Sequence, residues 1–489
     1  MIKLKELLNH TPRRARALWG LLFVSVAYLF FSACAGGNYE YYNSIHALMA
    51  RNQYRQADAK VEENLDKIYG KKDMLLYYFD RALLLHLEGE WAESNKMLQK
   101  AEALADSYFT KSISSEASTF LISDNMRPYY GEDFERAMIH VFGALNYIYM
   151  GEFDEALVEA RRVDLFLSRL KVDYGHKNFY TEDAFIRYLM GIIYESRGEI
   201  NDAFISYRKA LNRYKETQGA YGVKVPPELV QSALQAASDM GFRDEYFEIK
   251  NEFPKLSENF VPEKRKKTNG EIVLLHYNGR VPHKIDSIFK MEFGRAWGFV
   301  GMVDIAGEAQ EEVNNVATVI ETIASEEQVI IAFPKFVPSP YSIFISEVQV
   351  GDEIHRTELV QDIGAIAVKN MEDRKGRMFF KSVARAAIKF ALAKGAERKI
   401  KEKTKSEVAQ WILTKAVKTA SALTEKADKR SWRTLPDQIR MSRVSLPGGT
   451  YPVEVTFVDK KGYEEGKVAL GNVTVTPGKK TFLYLSTLR

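Results

Sequence analysis

Cys34 is the single cysteine among 489 residues, and it follows an apolar stretch at residues 18–31. A thiolate is a nucleophile and a metal ligand, so its position decides which chemistry it can do. The segment before the apolar stretch is basic. Its charged residues are Lys3, Lys5, Arg13, Arg14 and Arg16, against one acid, Glu6. A basic segment, an apolar segment and a small-residue end, here Ser32 and Ala33, are the parts of a secretory signal. This order predicts that residues 1–33 are a leader and that Cys34 begins the mature chain.

The segment Phe31-Ser32-Ala33-Cys34 resembles a bacterial lipobox, although Phe31 stands where leucine is usual. The resemblance implies that Cys34 is lipidated and that the leader is removed before it. The mature protein would then be anchored by lipid in the bacterial cell envelope. Ala35 favours the outer membrane, with the chain facing the periplasm. The alternatives are an uncleaved signal anchor and a buried cysteine that packs as a small apolar side chain.

The charge balance of the mature chain excludes one large class of partner. The chain has 69 basic and 65 acidic residues, and removing the leader leaves 64 of each. A neutral chain lacks the basic excess typical of nucleic-acid-binding proteins, so we expect no nucleic-acid partner. No stretch after the leader approaches the roughly 20 apolar residues that span a bilayer. We therefore expect the lipid at Cys34 to be the membrane attachment.

The remaining residues show no pattern typical of catalysis. No Gly-x-Ser-x-Gly nucleophile elbow occurs, and the histidines include no His-Glu-x-x-His pair. His276 and His283 are the only close pair, and they would share a metal only if a hairpin brought them together. We therefore expect no catalytic residue, no cofactor, no metal site and no enzyme activity.

A repeated turn marks the elements that must position any binding site. Gly-Glu followed by an apolar residue occurs at residues 89–91, 151–153 and 198–200, each time between two amphipathic helical patterns. The residues that define the last two units are Gly143, Tyr147, Gly151, Ala156, Gly191, Tyr194, Gly198, Ala203, Tyr207 and Ala210. The pattern resembles the tetratricopeptide repeat (TPR), in which small residues let paired helices approach and aromatic residues fill the remaining space. We expect a TPR-like, all-α solenoid over residues 34–255, with Gly191 and Ala203 at a helix crossing.

Tyrosine is concentrated in the same region, because 20 of the 26 tyrosines lie between Tyr39 and Tyr246. Two interpretations remain open. The rings either fill the packing between repeats, or they form an aromatic groove that binds an extended or helical peptide. Insertions between the units, at residues 107–133 and 172–181, would border such a groove.

The periodicity changes after a charged linker at residues 256–270. Short apolar runs such as 271–277 and 328–333, each ended by Gly or Pro, predict strands. We expect residues 271–489 to form a β-sandwich-like domain that makes few contacts with the solenoid. The fold class is then α+β multidomain.

A helical insertion is expected in this domain at about residues 360–429. Residues 369–405 carry 13 basic and four acidic side chains, with Lys381, Arg385 and Lys389 on one helical face. Such a face suits either an anionic membrane surface or the solvated side of a helical hairpin. Both interpretations place the basic side chains at the surface.

A family resemblance appears at the end of the insertion. The residues that carry it are Arg430, Trp432, Leu435 and Pro436, within residues 424–436, followed by Leu446-Pro447-Gly448-Gly449-Thr450-Tyr451. This block resembles the signature of a family of uncharacterised bacterial TPR-containing lipoproteins, and residues 357–367 are similar to another stretch of it. The resemblance implies an envelope lipoprotein and brings no established activity.

The same block has an interpretation based on packing alone. Trp432 and Pro436 would close the top of the sheet where the helical hairpin rejoins it. Arg430 or Arg433 would then pair with Asp428 or Glu425. The alternative is a loop that binds a partner.

These features favour a lipid-anchored envelope scaffold that binds a protein partner through its TPR region. One alternative is a regulator of peptidoglycan synthases. Another is a glycan-binding or hydrolytic protein that uses the C-terminal domain, for which peptidoglycan would be a partner.

Overall fold

The computed structural model describes residues 37–115, 127–173, 180, 182–262, 268–300, 323, 325–403 and 427–488. The leader, Cys34 and the second helix of the expected hairpin lie outside this part of the chain. Within these ranges we find no helix with the length and apolar character that a membrane crossing requires.

The described residues of the first half of the chain form five helical hairpins. The pairs are α1 (Gly37–Met49) with α2 (Tyr54–Glu63), α3 (Met74–Glu88) with α4 (Trp91–Ser115), α5 (Asp133–Met150) with α6 (Phe153–Asp173), α7 (Ala184–Ser196) with α8 (Ile200–Tyr221), and α9 (Pro227–Met240) with α10 (Arg243–Glu252). A π-helical turn, Leu65–Tyr69, follows α2, and the short α11 (Pro254–Ser257) follows α10. This succession confirms the expected TPR-like solenoid.

Glycine separates the two helices of most pairs because the turn needs a left-handed backbone. Gly89, Gly151, Gly198 and Gly241 have φ angles of 91°, 78°, 77° and 72°. A residue with a Cβ is strained there, so glycine fixes where the first helix ends.

Small residues set the spacing between α7 and α8. A Cβ at Gly191 would overlap the ring of Tyr207, and both Ala203 and Ala210 are fully buried. The Tyr207 ring therefore occupies the space that a side chain at Gly191 would take.

The second half of the chain supplies the strands and two further helices. The strands are β1 (Asn269–Asn278), β2 (His283–Glu292), β3 (Gln328–Val337), β4 (Ile345–Val350), β5 (Glu353–Arg356), β6 (Glu358–Asp362), β7 (Gln438–Pro447), β8 (Gly449–Val458), β9 (Glu464–Val475) and β10 (Lys480–Thr487). The helices are α12 (Phe293–Gly298) and α13 (Ile363–Lys403). An inner sheet has the strand order β10-β1-β7-β6, an outer sheet has the order β5-β4-β8-β9, and β2 and β3 form a ribbon.

The inner sheet is the middle layer of the molecule. Strand β1 is apolar along most of its length because both of its faces are covered. Val273, Leu275 and Tyr277 join the core of the solenoid, whereas Ile272 and Leu274 join the core between the two sheets. The order of layers is solenoid, inner sheet, outer sheet, which confirms the β-sandwich-like half and the α+β class.

The strand pairing differs from a simple meander of the last four strands. Strand β10 pairs in parallel with β1, whereas β7 pairs antiparallel with it from the other side. Strands β8 and β9 belong to the outer sheet. The chain changes sheets at Gly448, where a Cβ would overlap Pro477.

The helical insertion expected at about residues 360–429 needs correction at both ends. Strand β6 extends to Asp362, whose Oδ1 accepts the N–H of Ala365 at 2.7 Å and so begins α13 at Ile363. At the other end, residues 427–430 are not helical.

The basic face of α13 is also less exposed than expected. Residues 383–388 are all buried, and Arg385 is only 4% exposed. The apolar residues among them form a third core with residues of α12 and β3, including Phe293, Val329 and Ile331. A helix covered on every side over this length does not present a membrane-binding face there.

Candidate functional site

The inner face of the solenoid is occupied by residues 427–437, which are called the family block below. Trp432 is fully buried and stacks on Phe79 of α3, with ring centroids 4.3 Å apart and an interplanar angle of 11°. The backbone N–H of Trp432 donates to Glu135 Oε1 of α5 at 2.6 Å. Its indole N–H donates to Thr434 Oγ1 at 2.9 Å. Trp432 therefore packs inside the solenoid rather than at the top of the sheet.

The other residues of the block extend this attachment. Arg430 forms ion pairs with Asp428 at 2.6 Å and with Asp73 at 2.8 Å. Leu435 is buried in the same core, and Pro436 is buried as well. The pairing with Asp428 was one of those expected, whereas Glu425 lies outside the described residues. Asp73 precedes α3, so Arg430 joins the block to the solenoid.

Buried carboxylates around the block have shifted pKa values. Asp80 accepts hydrogen bonds from the hydroxyls of Tyr42, Tyr69 and Thr434 at 2.8–2.9 Å, and burial raises its pKa to about 6. Burial likewise raises the pKa of Glu135 to about 7.

Glu132, beside this group, shows the opposite pKa shift. Burial opposes ionisation, but Lys284 of the ribbon and Arg374 of α13 pair with Glu132 and lower its pKa to about 2. This cluster joins α5 to two elements of the second half of the chain.

A second ionic cluster joins the inner sheet to the solenoid. Arg443 of β7 lies 2.7 Å from Glu195 of α7 and 2.5 Å from Glu271 of β1, and the side chains of Arg443 and Glu195 are each 8% exposed. Lys480 of β10 pairs with both carboxylates. Nearby, burial raises the pKa of Glu228 to about 8.

The aromatic inner face thus meets the protein's own sheet. Tyr149 and Tyr277 share a hydroxyl hydrogen bond of 2.9 Å, and the Tyr214 hydroxyl donates to the carbonyl of Val360 at 2.7 Å. The expectation of few contacts between the two halves is wrong, because residues of both halves form one core. A partner peptide would have to displace this sheet to enter.

An open groove lies elsewhere on the solenoid. It has a volume of about 430 Å³ and lies between α4, α5 and α6. Its apolar lining includes Ile139, Leu165, Phe166 and Leu170, and Leu165 is 53% exposed. The volume falls in the range of ligand pockets in proteins.

Charged side chains surround the apolar centre of the groove. Arg136 pairs with Asp106 at 2.6 Å, and its guanidinium lies 4.8 Å from the ring centroid of Phe166. Arg162 pairs with Glu102 at 3.1 Å. Arg169 also lines the groove and is exposed, and we find no ion pair for it among the described residues. The groove therefore offers apolar contact together with a guanidinium available to a carboxylate.

His140 forms part of the groove floor. Its Nδ1 lies 2.7 Å from Glu159 Oε2, and its Nε2 lies 3.7 Å from Glu102 Oε1. These contacts orient the imidazole between two carboxylates of neighbouring helices.

One hydroxyl–imidazole pair resembles a nucleophile and its base but lies in the wrong place for catalysis. Ser346 Oγ is 2.6 Å from His276 Nδ1, and His276 Nε2 is 2.7 Å from Thr487 Oγ1. Both Ser346 and His276 are fully buried between the sheets, and burial lowers the pKa of His276 to about 3. Both ring nitrogens have hydroxyl partners, so His276 is not available to share a metal with His283.

No group of three or more potential metal-ligating side chains occurs in the described ranges.

The residues singled out in the repeats are structural in their placement. Gly151 and Gly198 are in turns, whereas Ala156, Ala203, Tyr207 and Ala210 are buried. Gly143 faces Glu159, and Tyr194 accepts a hydrogen bond from Arg161 at 3.0 Å. Tyr147 packs at the edge of the solenoid core.

The groove residues did not emerge from the sequence, although a signal was present. Arg162, Leu165, Phe166 and Arg169 follow an i, i+3, i+4, i+7 pattern, which places them on one face of α6.

Neither a family model nor a curated protein matches the chain. Among solved structures, BtubC from P. vanneervenii is 14% identical over 45% of this chain and 81% of its own, with a TM-score of 0.30. The apo form of RapI is 11% identical over 45% of this chain and 53% of its own, with a TM-score of 0.33. MamA is 14% identical over 47% of this chain and 98% of its own, with a TM-score of 0.28. At these values the likenesses carry no argument about function, and the repeat assignment rests on the chain's own helical hairpins.

Proposed function

We propose that the protein is a lipid-anchored scaffold of the bacterial cell envelope that binds a protein partner in the groove between α4, α5 and α6. The observation that carries this proposal is the open groove, with its apolar centre and its exposed Arg169. The inner face is unsuited to the role because the chain's own sheet and family block cover it.

The groove favours a particular kind of partner segment. An apolar side chain would pack between Leu165 and Phe166, and a carboxylate beside it would pair with Arg169. The ion pairs of Arg136 and Arg162 would remain in place as the rim. The partner is therefore an envelope protein that presents an apolar residue next to an acidic one.

The anchor is supported by the leader and by the lipobox-like segment that ends at Cys34. We expect Cys34→Ser to abolish incorporation of a fatty-acid analogue in cells and to release a folded chain from the membrane fraction. A serine variant that still incorporates the label would exclude lipidation at this residue.

Site-specific crosslinking tests the groove. A photoreactive residue at Leu165 should capture the partner in cells, because this side chain is exposed in the groove. The matched control is the same residue at Ile205 of α8, which is 42% exposed and is not part of the groove lining.

Two outcomes decide the proposal. Capture at Leu165 that Arg169→Glu abolishes, with no such product at Ile205, supports it. Equal capture at both positions, or capture unaffected by Arg169→Glu, would place the partner elsewhere.

A further inference from the structure

Arg280 and Arg433 lie within electrostatic reach of each other, where the first helix, the β1–β2 turn and the family block meet. Arg280 is in the turn, and the adjacent Val281 N–H donates to the carbonyl of Leu435 at 3.0 Å. Arg433 precedes Leu435 by two residues. Its carbonyl accepts a hydrogen bond from His46 Nε2 of α1 at 2.9 Å. These contacts fix the main chain beside Arg280 and at Arg433.

The guanidinium of Arg433 lies against two aromatic rings of α1. Its central carbon is 4.7 Å from the ring centroid of Tyr42 and 5.9 Å from that of Tyr39. Arg280, Arg433 and His283 are each partly exposed, so solvent reaches the cluster. A ligand from solution can therefore reach it without unfolding the chain.

Within the described part of the chain, neither arginine forms an ion pair with a carboxylate such as the two that Arg430 forms. The Nε atoms of Arg280 and Arg433 are buried, and neither has a hydrogen-bond partner among the described residues. Arg430, three residues before Arg433, has two carboxylates in contact. Asp80 lies behind Tyr42, and its two oxygens accept hydrogen bonds from hydroxyl groups.

The two arginines affect the pKa values of the basic groups beside them. Burial, Arg433 and Arg280 together lower the pKa of His283. Burial lowers the pKa of His46 to about 4, with Arg433, Arg280 and His283 acting in the same direction. Burial and Arg280 also lower the pKa of Arg433, while Tyr42 and Asp80 act in the opposite direction. Arg280, Arg433, His46 and His283 thus lie within reach of one another's charges.

We propose that Arg280 and Arg433, with His283 at the edge, form a binding site for one phosphate group. Two guanidinium groups match the planar, two-pronged hydrogen bonding that phosphate oxygens accept. A bound phosphate would accept hydrogen bonds from both guanidinium groups and would reduce the repulsion between the two cations.

The phosphate has two sources, a phospholipid headgroup or a soluble phosphate. Arg433 contacts Tyr39, which is five residues after Cys34, and five residues span at most about 18 Å. If the chain is anchored at Cys34, the cluster is held close to the membrane surface, which favours the headgroup. The phosphate site does not depend on the anchor, but this choice of source does.

The mature chain carrying Cys34→Ser is titrated with inorganic phosphate at constant ionic strength and followed by calorimetry. We expect saturable binding that Arg280→Gln weakens by about tenfold or more, because a charge-assisted hydrogen-bond donor is lost. Arg433→Gln should behave in the same way. The matched control is Arg356→Gln on the outer sheet, where the arginine side chain is 68% exposed and pairs with Glu347. This variant should bind phosphate like the parent.

Absence of saturable phosphate binding, or an unchanged affinity in Arg280→Gln, would overturn the site. Because Arg280 lies in a turn, its variant remains informative even if Arg433→Gln fails to fold.

Vesicles identify the source of the phosphate. The chain carrying Cys34→Ser should cosediment with phosphatidylglycerol vesicles but not with phosphatidylcholine vesicles. Its Arg280→Gln variant should cosediment with neither. This pair of results supports the headgroup. Phosphate binding without cosedimentation identifies a soluble phosphate and overturns the headgroup assignment. Neither result bears on the groove at Leu165, so the two proposals fail separately.

Discussion

Gly191 is a residue at which the packing leaves no room for a side chain, because a Cβ would overlap the ring of Tyr207. We expect Gly191→Ala to lower the free energy of unfolding by about 1–3 kcal/mol, since the buried ring must move. The matched control is Gly219→Ala in α8, where a Cβ would meet no atom within 4 Å. It should raise the free energy by up to about 1 kcal/mol through helix propensity. Urea denaturation measures both, and equal effects would contradict the packing of α7 on α8.

The raised pKa of Asp437 predicts a loss of stability at alkaline pH. Burial, with the nearby Asp362, raises its pKa from 3.8 to about 8. The fold thus favours the protonated form, so this contribution to stability is full below about pH 4 and is lost as pH rises through 8.

We expect Asp437→Asn to remove this dependence. Its melting temperature relative to the parent should rise by at least about 2 °C between pH 5 and pH 9. The control is Asp352→Asn on an exposed turn, whose difference from the parent should stay constant. A constant difference for Asp437→Asn as well would show that this carboxyl titrates normally in the fold.

Two buried histidines have the opposite effect on stability, because they destabilise the fold at acid pH. Burial lowers the pKa of His86 to about 4 and that of His276 to about 3. Their contribution is present above the unfolded pKa of 6.5 and is lost as pH falls through the folded values. Protonation of these two histidines should therefore destabilise the fold at acid pH.

At the scale of elements, the family block at residues 427–437 is a segment of the solenoid core. Trp432→Ala removes the ring that stacks on Phe79, and we expect a loss of about 3–5 kcal/mol in the free energy of unfolding. Trp432→Phe keeps a stacked ring but loses the indole hydrogen bond to Thr434, so its loss should be clearly smaller. Guanidinium denaturation measures the free energy of unfolding of both variants. A loss below about 1 kcal/mol for Trp432→Ala would mean that the block lies on the surface.

Some elements could be predicted from the sequence and others could not. The helical hairpins were accessible because glycine turns and small residues act locally, as at Gly151 and Gly191. Strand β6 was missed because residues 358–362 become a strand only by pairing with β7, some 80 residues later. The parallel pairing of β1 with β10 likewise depends on residues about 200 positions apart.

At the scale of the whole molecule, the chain's own sheet covers the inner face of the solenoid and the groove stays open. Tyrosine-rich repeats predicted an aromatic face, but composition does not state what covers that face. The covering sheet was recognisable in part, since β1 is apolar on both alternating sets of positions and so must be buried on both sides. A partner-binding site on the solenoid would therefore lie away from this covered face.

The solenoid and the inner sheet share one core, and the groove between α4, α5 and α6 is open. Hydrogen exchange of the mature chain in increasing denaturant tests the shared core directly, with α5 and β1 as reporters, because their residues meet in that core. We predict that amides of residues 133–150 and 269–278 lose protection together in one cooperative transition. Loss of protection in α5 while β1 remains protected, or the reverse, would show two independent domains and contradict the account.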